Sequence, residues 1–199
     1  MIPRRALLTL AAAGLLALSG CERGAPAHRF NAVDLTGAEY ARQFSLPDAD
    51  GKPRTLADFK GKVTAVFFGY TQCPDACPTT MAELTGIEKS LGPDASRLQV
   101  VFITVDPSRD TPALLKNYVT NFRPDFLALR GDEAQTKAVT REFKVFYEKV
   151  PGRTEDTYTI DHTAGLYLFD PQGRIRLFAS QSLDPALLTA DIQALQAGS

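Results

Sequence analysis

Cysteine and histidine are scarce in this chain. Its 199 residues include three of the first and two of the second, His28 and His162. A folded domain of about 160 residues buries enough apolar surface to do without covalent staples. The few cysteines therefore do not mark a disulfide-dense miniature fold. Excess charge of one sign is also missing. The net charge of −1 argues against a nucleic-acid partner. The N-terminal apolar run, Ala6 to Leu18, is thirteen residues long, too short to span a bilayer comfortably. There is no internal repeat and no low-complexity tract. What remains is an ordinary globular balance of 44% hydrophobic and 23% charged residues.

The short apolar run follows Arg4 and Arg5 and ends in small residues, the pattern of a secretory signal. Leu18-Ser19-Gly20-Cys21 resembles the lipobox of bacterial lipoproteins, in which cleavage precedes the cysteine and that cysteine is acylated. Residues 1–20 are thus expected to be a signal peptide, and Cys21 a lipidated N-terminus. Residues 21–43 would be a linker, and residues 44–199 the working domain. Burial of acyl methylenes, ~0.8 kcal/mol each, would hold the chain on an extracytoplasmic membrane face, the inner membrane being favoured. Glu22 is no clear retention signal. The paired arginines fit a twin-arginine signal poorly. Disulfides can form outside the cytoplasm. With Cys21 acylated, Cys73 and Cys77 are the only thiols left to pair.

Within the domain, "VTAVFFGY" (63–70) and "LQVVFITV" (98–105) are short, almost wholly apolar runs, as in strands buried on both faces. Met81, Leu84, Ile87 and Leu91 recur at helical spacing before Gly92-Pro93. A helix is predicted over 111–122, with Thr111 as its cap and Leu115, Tyr118, Val119 and Phe122 inward. A short strand is predicted over 126–131. A helix over 133–143 would turn Ala134, Ala138, Val139 and Phe143 inward. "AGLYLFD" and "RIRLFAS" flank Asp170-Pro171-Gln172-Gly173 as a hairpin, and 184–196 reads as a last amphipathic helix. Alternating strands and helices with a terminal hairpin imply an α/β fold around a mixed sheet. The order resembles the thioredoxin fold.

Cys73 and Cys77 sit between the first buried strand and a helix, where open α/β sheets build their sites. A helix places residues four apart about 6 Å apart on one face, within disulfide reach. A helix N-terminus favours thiolates. Pro74 and Pro78 suit a rigid helix start. So small a loop gains little stability from closure, so an inert staple is the weakest reading. Disulfide exchange and metal binding remain open from the cysteines alone. His162, before the predicted strand at 164–170, supplies a third donor. Two thiolates and an imidazole suit copper, as Cu(I) or Cu(II). Zinc would need a fourth ligand to close a structural site. A peroxidase of the peroxiredoxin class fits poorly, because Tyr70 stands where a Thr or Ser should precede the cysteine by three residues.

Taken together, "CPDACP" (73–78), "VDPSRDTP" (105–112) and "DHTAGLYLFD" (161–170) resemble the Sco/SenC family over roughly residues 44–196. The resemblance implies a membrane-anchored, thioredoxin-like copper protein that assists assembly of the copper site of cytochrome c oxidase. It implies Cys73, Cys77 and His162 as copper ligands, with the two cysteines also able to act as a redox pair. Asp75, Asp106 and Asp161 would support the site, although Asp106-Pro107 and Asp110-Thr111 equally suit turn and capping roles. Implied partners are the copper-site subunit of the oxidase, other copper chaperones and thiol reductants. The alternative implied function is a thiol–disulfide oxidoreductase that keeps the oxidase cysteines reduced. The anchor departs from that of many relatives, which keep a transmembrane helix.

Overall fold

The computed structural model describes residues 28–154 and 157–199. The expected signal peptide and Cys21 lie outside the described residues. Among these residues, no helix is long and apolar enough to cross a membrane.

The centre of the molecule is a six-stranded mixed sheet. Strands β1 (Val33–Asp34), β4 (Val63–Gly69), β5 (Leu98–Thr104), β6 (Leu127–Leu129), β9 (Gly165–Phe169) and β10 (Ile175–Ser180) form it, in the order β1-β10-β9-β4-β5-β6. The β4–β5 and β5–β6 pairs are parallel, and the other pairs are antiparallel. Every residue of β4 and β5 is buried. This is what the two near-continuous apolar runs require, because a parallel sheet is covered on both faces. The β9–β10 turn is held by Asp170, whose carboxylate accepts the Gln172 and Arg174 amides at 3.0 Å each. Gly173 takes the positive φ that closes the turn.

The helices are α1 (Ala76–Leu91), α2 (Pro112–Phe122), α3 (Glu133–Glu142) and α4 (Pro185–Ala197). Met81, Leu84, Ile87 and Leu91 form the buried stripe of α1, as their spacing predicts. Thr111 caps α2 by accepting the Leu114 amide. On α3 the expected inward face is partly wrong. Ala134 and Ala138 are exposed, and Thr136, Val139 and Thr140 are buried with Phe143. The Thr140 hydroxyl donates to the Thr136 carbonyl at 2.9 Å, so that polar atom is satisfied inside the helix.

Two small sheets stand apart from the main one. One pairs β2 (Ser45–Pro47) with β3 (Pro53–Thr55) around a turn at 48–52. The other pairs β7 (Tyr147–Pro151) with β8 (Tyr158–His162). Neither carries a strand signal in its residues. The folded unit also starts earlier than Phe44. Val33 and Asp34 pair with Phe178 and Leu177, and Asp191 of α4 accepts the amides of Asn31 and Ala32. Part of the expected linker is therefore docked on the sheet. Strand pairing with β10 and a single buried carboxylate hold it, and no apolar periodicity would reveal that.

Candidate metal centre

Strand β4 ends at Gly69, and the chain turns through Tyr70 to Gln72 before Cys73. The Cys73 amide donates to the Tyr70 carbonyl at 3.3 Å. Helix α1 starts only at Ala76, after Asp75 as its cap residue. The two cysteines therefore do not share a helix face, as their spacing had suggested. Cys73 lies in the preceding turn, half-buried, and Cys77 lies in the first turn of α1, fully buried. Pro78 falls in that same first turn, where its missing N–H leaves no helical bond unmade. Both thiols are free.

Gly69 makes room for the pair. A Cβ at this position would lie 2.8 Å from Cys77 Sγ and 3.0 Å from the rings of Phe67 and Phe102. The sulfur thus packs directly on bare backbone at the end of the central strand.

His162 is the last residue of β8 and pairs with Tyr147. It closes the small hairpin and, as the sequence suggested, lies just before the buried strand β9. Its Nδ1 lies 3.1 Å from the Thr163 carbonyl oxygen. A carbonyl oxygen can only accept, so Nδ1 carries a proton and Nε2 is the nitrogen left to face the sulfurs. That Nε2 faces Cys77 Sγ at 3.5 Å. The rings of Phe67 and Tyr70 meet the imidazole edge-on, with centroids at 6.1 and 6.0 Å. One donor atom from each of Cys73, Cys77 and His162 can be chosen so that all lie within 4.8 Å of one another. Two sulfurs and one imidazole nitrogen form a soft donor set open on one side. No further Cys, His, Asp or Glu joins this cluster among the described residues.

The two thiols differ electrostatically. Cys73 is lowered to about 4, first by the hydrogen bond from the Cys77 thiol, then by His162 and by the Cys77 and Asp75 amides, against the effect of burial. The Cys77 amide reaches Cys73 Sγ at 3.4 Å, the geometry by which a helix start steadies a thiolate. Cys77 moves the other way, because it donates its proton to Cys73 and because it is buried. The pair therefore holds one proton and one negative charge over a wide pH range.

The three expected supporting carboxylates have different placements. Asp75 and Asp161 are exposed and line the cleft outside Cys73 and His162. Asp75 accepts only a long contact, 3.4 Å, from the Thr79 hydroxyl. Asp106 is fully buried and turns to Arg109 and Tyr158 rather than to the donors. Asp110 does more than end a turn. It accepts the Thr71 hydroxyl at 2.6 Å, the Thr71 amide at 3.1 Å and the Thr104 hydroxyl at 2.5 Å. It thereby ties the cysteine loop to the end of β5. Burial outweighs these bonds and pushes its carboxyl up. Gly69, Tyr70, Arg109, Tyr158 and Thr163 also build the site and were not singled out as site residues from sequence. The density of polar residues in "VDPSRDTP" was the available signal for Arg109.

Residues 33–197 match the SCO1/SenC family model. An SCO2-like protein of Rickettsia prowazekii is 44% identical over 132 residues. That match covers 66% of this chain and 64% of the relative, so it spans less than two thirds of the relative's length. Among solved structures, the chain resembles copper-bound ScoI of Bradyrhizobium japonicum, with 41% identity and a TM-score of 0.70, over 77% of this chain and 97% of that one. It also resembles apo Sco1 of Thermus thermophilus, with 36% identity and a TM-score of 0.75, over 86% and 99% of the two chains. The observed architecture is thus the thioredoxin-like Sco fold, and the chain belongs to the SCO1/SenC family.

Proposed function

We propose that this chain is a copper metallochaperone, anchored to the extracytoplasmic membrane face by a lipid on Cys21, that assists assembly of the copper site of cytochrome c oxidase. The carrying observation is the convergence of Cys73, Cys77 and His162 donor atoms within 4.8 Å. Family membership and the copper-bound relative support the choice of metal. Two thiolates and an imidazole match Cu(I) and can also serve Cu(II). Cys73, already a thiolate, would engage first. Cys77 would then release its proton, while His162 offers Nε2 with its tautomer set by Thr163. Half-buried Cys73 and the open cleft would allow a partner's ligands to approach and replace these donors one at a time. Asp75 and Asp161 would meet the incoming cation or partner at the mouth of the cleft. The partner proposed is the copper-site subunit of the oxidase, with other copper chaperones as donors.

The test is copper stoichiometry with absorption and EPR spectra on reduced and oxidised protein. One copper per reduced chain is expected, lost in a Cys73→Ser/Cys77→Ser variant. An unchanged copper spectrum in that variant would sink the proposal.

The second reading is thiol–disulfide exchange with the oxidase cysteines, supported by the asymmetry of the pair. Cys73 is accessible and ionised, and Cys77 stands behind it as the resolving thiol. Cys73 would attack a partner disulfide, releasing one partner thiol. Cys77 would then displace the second, leaving the partner reduced and this pair oxidised. A His162→Ala variant separates the readings. Under the copper reading it loses metal affinity and oxidase maturation. Under the exchange reading it keeps maturation.

A further inference from the structure

We infer that Arg109 is a positioning residue that fixes His162 opposite the cysteines by pinning the β7–β8 hairpin. This rests on the reading of His162 as a metal donor, but its geometry can be tested without metal.

The hairpin needs such a device. It has only two strands and lies outside the main sheet, and an isolated two-stranded hairpin is marginal in water. Yet it must hold an imidazole with Nε2 3.5 Å from Cys77 Sγ, a sulfur anchored in the core. Arg109 lies in the loop after β5. Its guanidinium covers the Tyr158 ring at 3.5 Å from the centroid and also faces the Tyr70 ring at 5.7 Å. Its Nε pairs with buried Asp106, and its Nη1 donates to the Tyr158 carbonyl at 2.9 Å. The Tyr158 hydroxyl donates to the other Asp106 oxygen at 2.8 Å. Tyr158 is thus held by its ring, its carbonyl and its hydroxyl at once.

Tyr158 opens strand β8, and His162 closes it. Between them, the Ile160 amide donates to the Tyr70 hydroxyl at 3.1 Å. Tyr70 belongs to the cysteine loop and meets the His162 ring edge-on. Arg109 therefore touches both halves of the site, and β8 transmits its grip from Tyr158 to His162. A fork of donors on a flat, stacking cation makes these contacts together. A lysine can supply the charge but neither the plane nor the fork.

The experiment follows reduced, metal-free protein by NMR, comparing wild type with Arg109→Gln. Two signals are read: hydrogen exchange at the Ile160 amide and the ring-proton shifts of His162. We expect Ile160 to exchange about tenfold faster through local opening. We expect the His162 shifts to move toward free histidine, while β4 and β5 amides keep their protection. Arg109→Lys should restore melting temperature more than it restores Ile160 protection. If Arg109→Gln does not fold, Tyr158→Phe decides, because it removes only the hydroxyl contact. It should produce the same changes on a smaller scale. Unmoved His162 shifts in the folded variants, or a uniform loss of protection with His162 in place, would overturn the assignment. X-ray absorption on Cu(I)-loaded protein adds a second arm, in which Arg109→Gln should lose the nitrogen scatterer. If His162→Ala leaves that scatterer in place, the ligand reading has failed. The metal-free shifts still judge the role of Arg109.

Discussion

The two halves of the candidate site are built by different physics. The cysteine half grows out of the core. Strand β4 is buried along its whole length, Cys77 Sγ packs on Gly69, and α1 carries an apolar stripe beneath the sulfurs. The histidine half hangs on a two-stranded hairpin, held by one buried ion pair, two tyrosines and a few hydrogen bonds. Packing cannot shift without disturbing the whole domain, whereas a polar knot can open locally. The difference suits a site that accepts and gives up a ligand. The anchored sulfurs keep their places, and the hairpin donor is the one that can let go.

The sharpest way to break the comparison is Asp106→Ala. It leaves the Arg109 guanidinium, largely enclosed, without its carboxylate. Breaking a buried pair from one side costs roughly 3–5 kcal/mol. Part of the loss is offset because Arg109 retains some access to water. Urea denaturation should show the drop, and hydrogen exchange should place the earliest opening at β7–β8 while β4 and β5 stay protected. An equal opening of the core strands would remove the distinction between the halves.

The matching strike on the cysteine half is Gly69→Ala. The new methyl would overlap Cys77 Sγ at 2.8 Å and crowd Phe67 and Phe102. Overpacking of this kind costs about 1–3 kcal/mol. Here the loss should be global, seen as a lower melting temperature with uniformly weaker protection. Cu(I) affinity should fall with it, because Cys77 must move. A variant with wild-type stability and affinity would show that the sulfur does not depend on the missing side chain.

The pH response should separate the cysteines more gently, since half-exposed Cys73 is screened by solvent. In reduced, metal-free protein, thiolate absorbance near 240 nm should rise with a midpoint at about 4 for Cys73. A second thiolate should not appear until well above the ordinary thiol range, because Cys77 is pushed up. For stability the signs are opposite. Cys73 has a folded pKa below its unfolded value of 9.0, so its contribution is complete above that value and disappears as pH falls toward about 4. Cys77 has a folded pKa above its unfolded value, so stability declines as pH rises past 9.0. Urea midpoints from pH 4.5 to 10 should therefore peak between the two limits. Cys73→Ser should flatten the acid side. Loading Cu(I) near pH 7 should release about one thiol proton per chain rather than two, measurable by calorimetry in buffers of different ionisation enthalpy.

The same contrast explains what could be read from the sequence. Buried parallel strands announce themselves as apolar runs, and the stripe of α1 as a helical period, so the frame and the cysteine corner were legible. Strand β8, "YTIDH", buries only Ile160 fully, and β7 buries nothing fully. Without a hydrophobic face there is no period to detect. His162 was found as a donor through its chemistry and its motif, but its place at the end of a separate hairpin was not. Nor could spacing show that Cys73 precedes α1, because helix starts depend on capping geometry. Asp106 and Asp110 looked like turn residues. Their reach to Tyr158 and Thr71, 52 and 39 residues away, is a property of the fold.

Thr163→Val gives the smallest and most local contrast. The Thr163 hydroxyl accepts the Phe146 amide at 3.0 Å, and its own amide donates to the Phe146 carbonyl at 2.9 Å. Together these bonds hold the residue whose carbonyl receives the His162 Nδ1 proton. Valine keeps the shape and the backbone bond but loses the hydroxyl. Phe146 is exposed, so water can replace that acceptor, and the cost should be about 1 kcal/mol or less. The effect on the imidazole should be easier to see than the effect on stability. Nitrogen-15 NMR of metal-free wild type should report a single tautomer with the proton on Nδ1. The variant should show a mixture, and Cu(I) affinity should weaken slightly because some molecules must first move that proton. A pure Nδ1-protonated tautomer in the variant would mean that the backbone bond alone aims the carbonyl. The hairpin would then orient its donor more rigidly than its sparse packing implies.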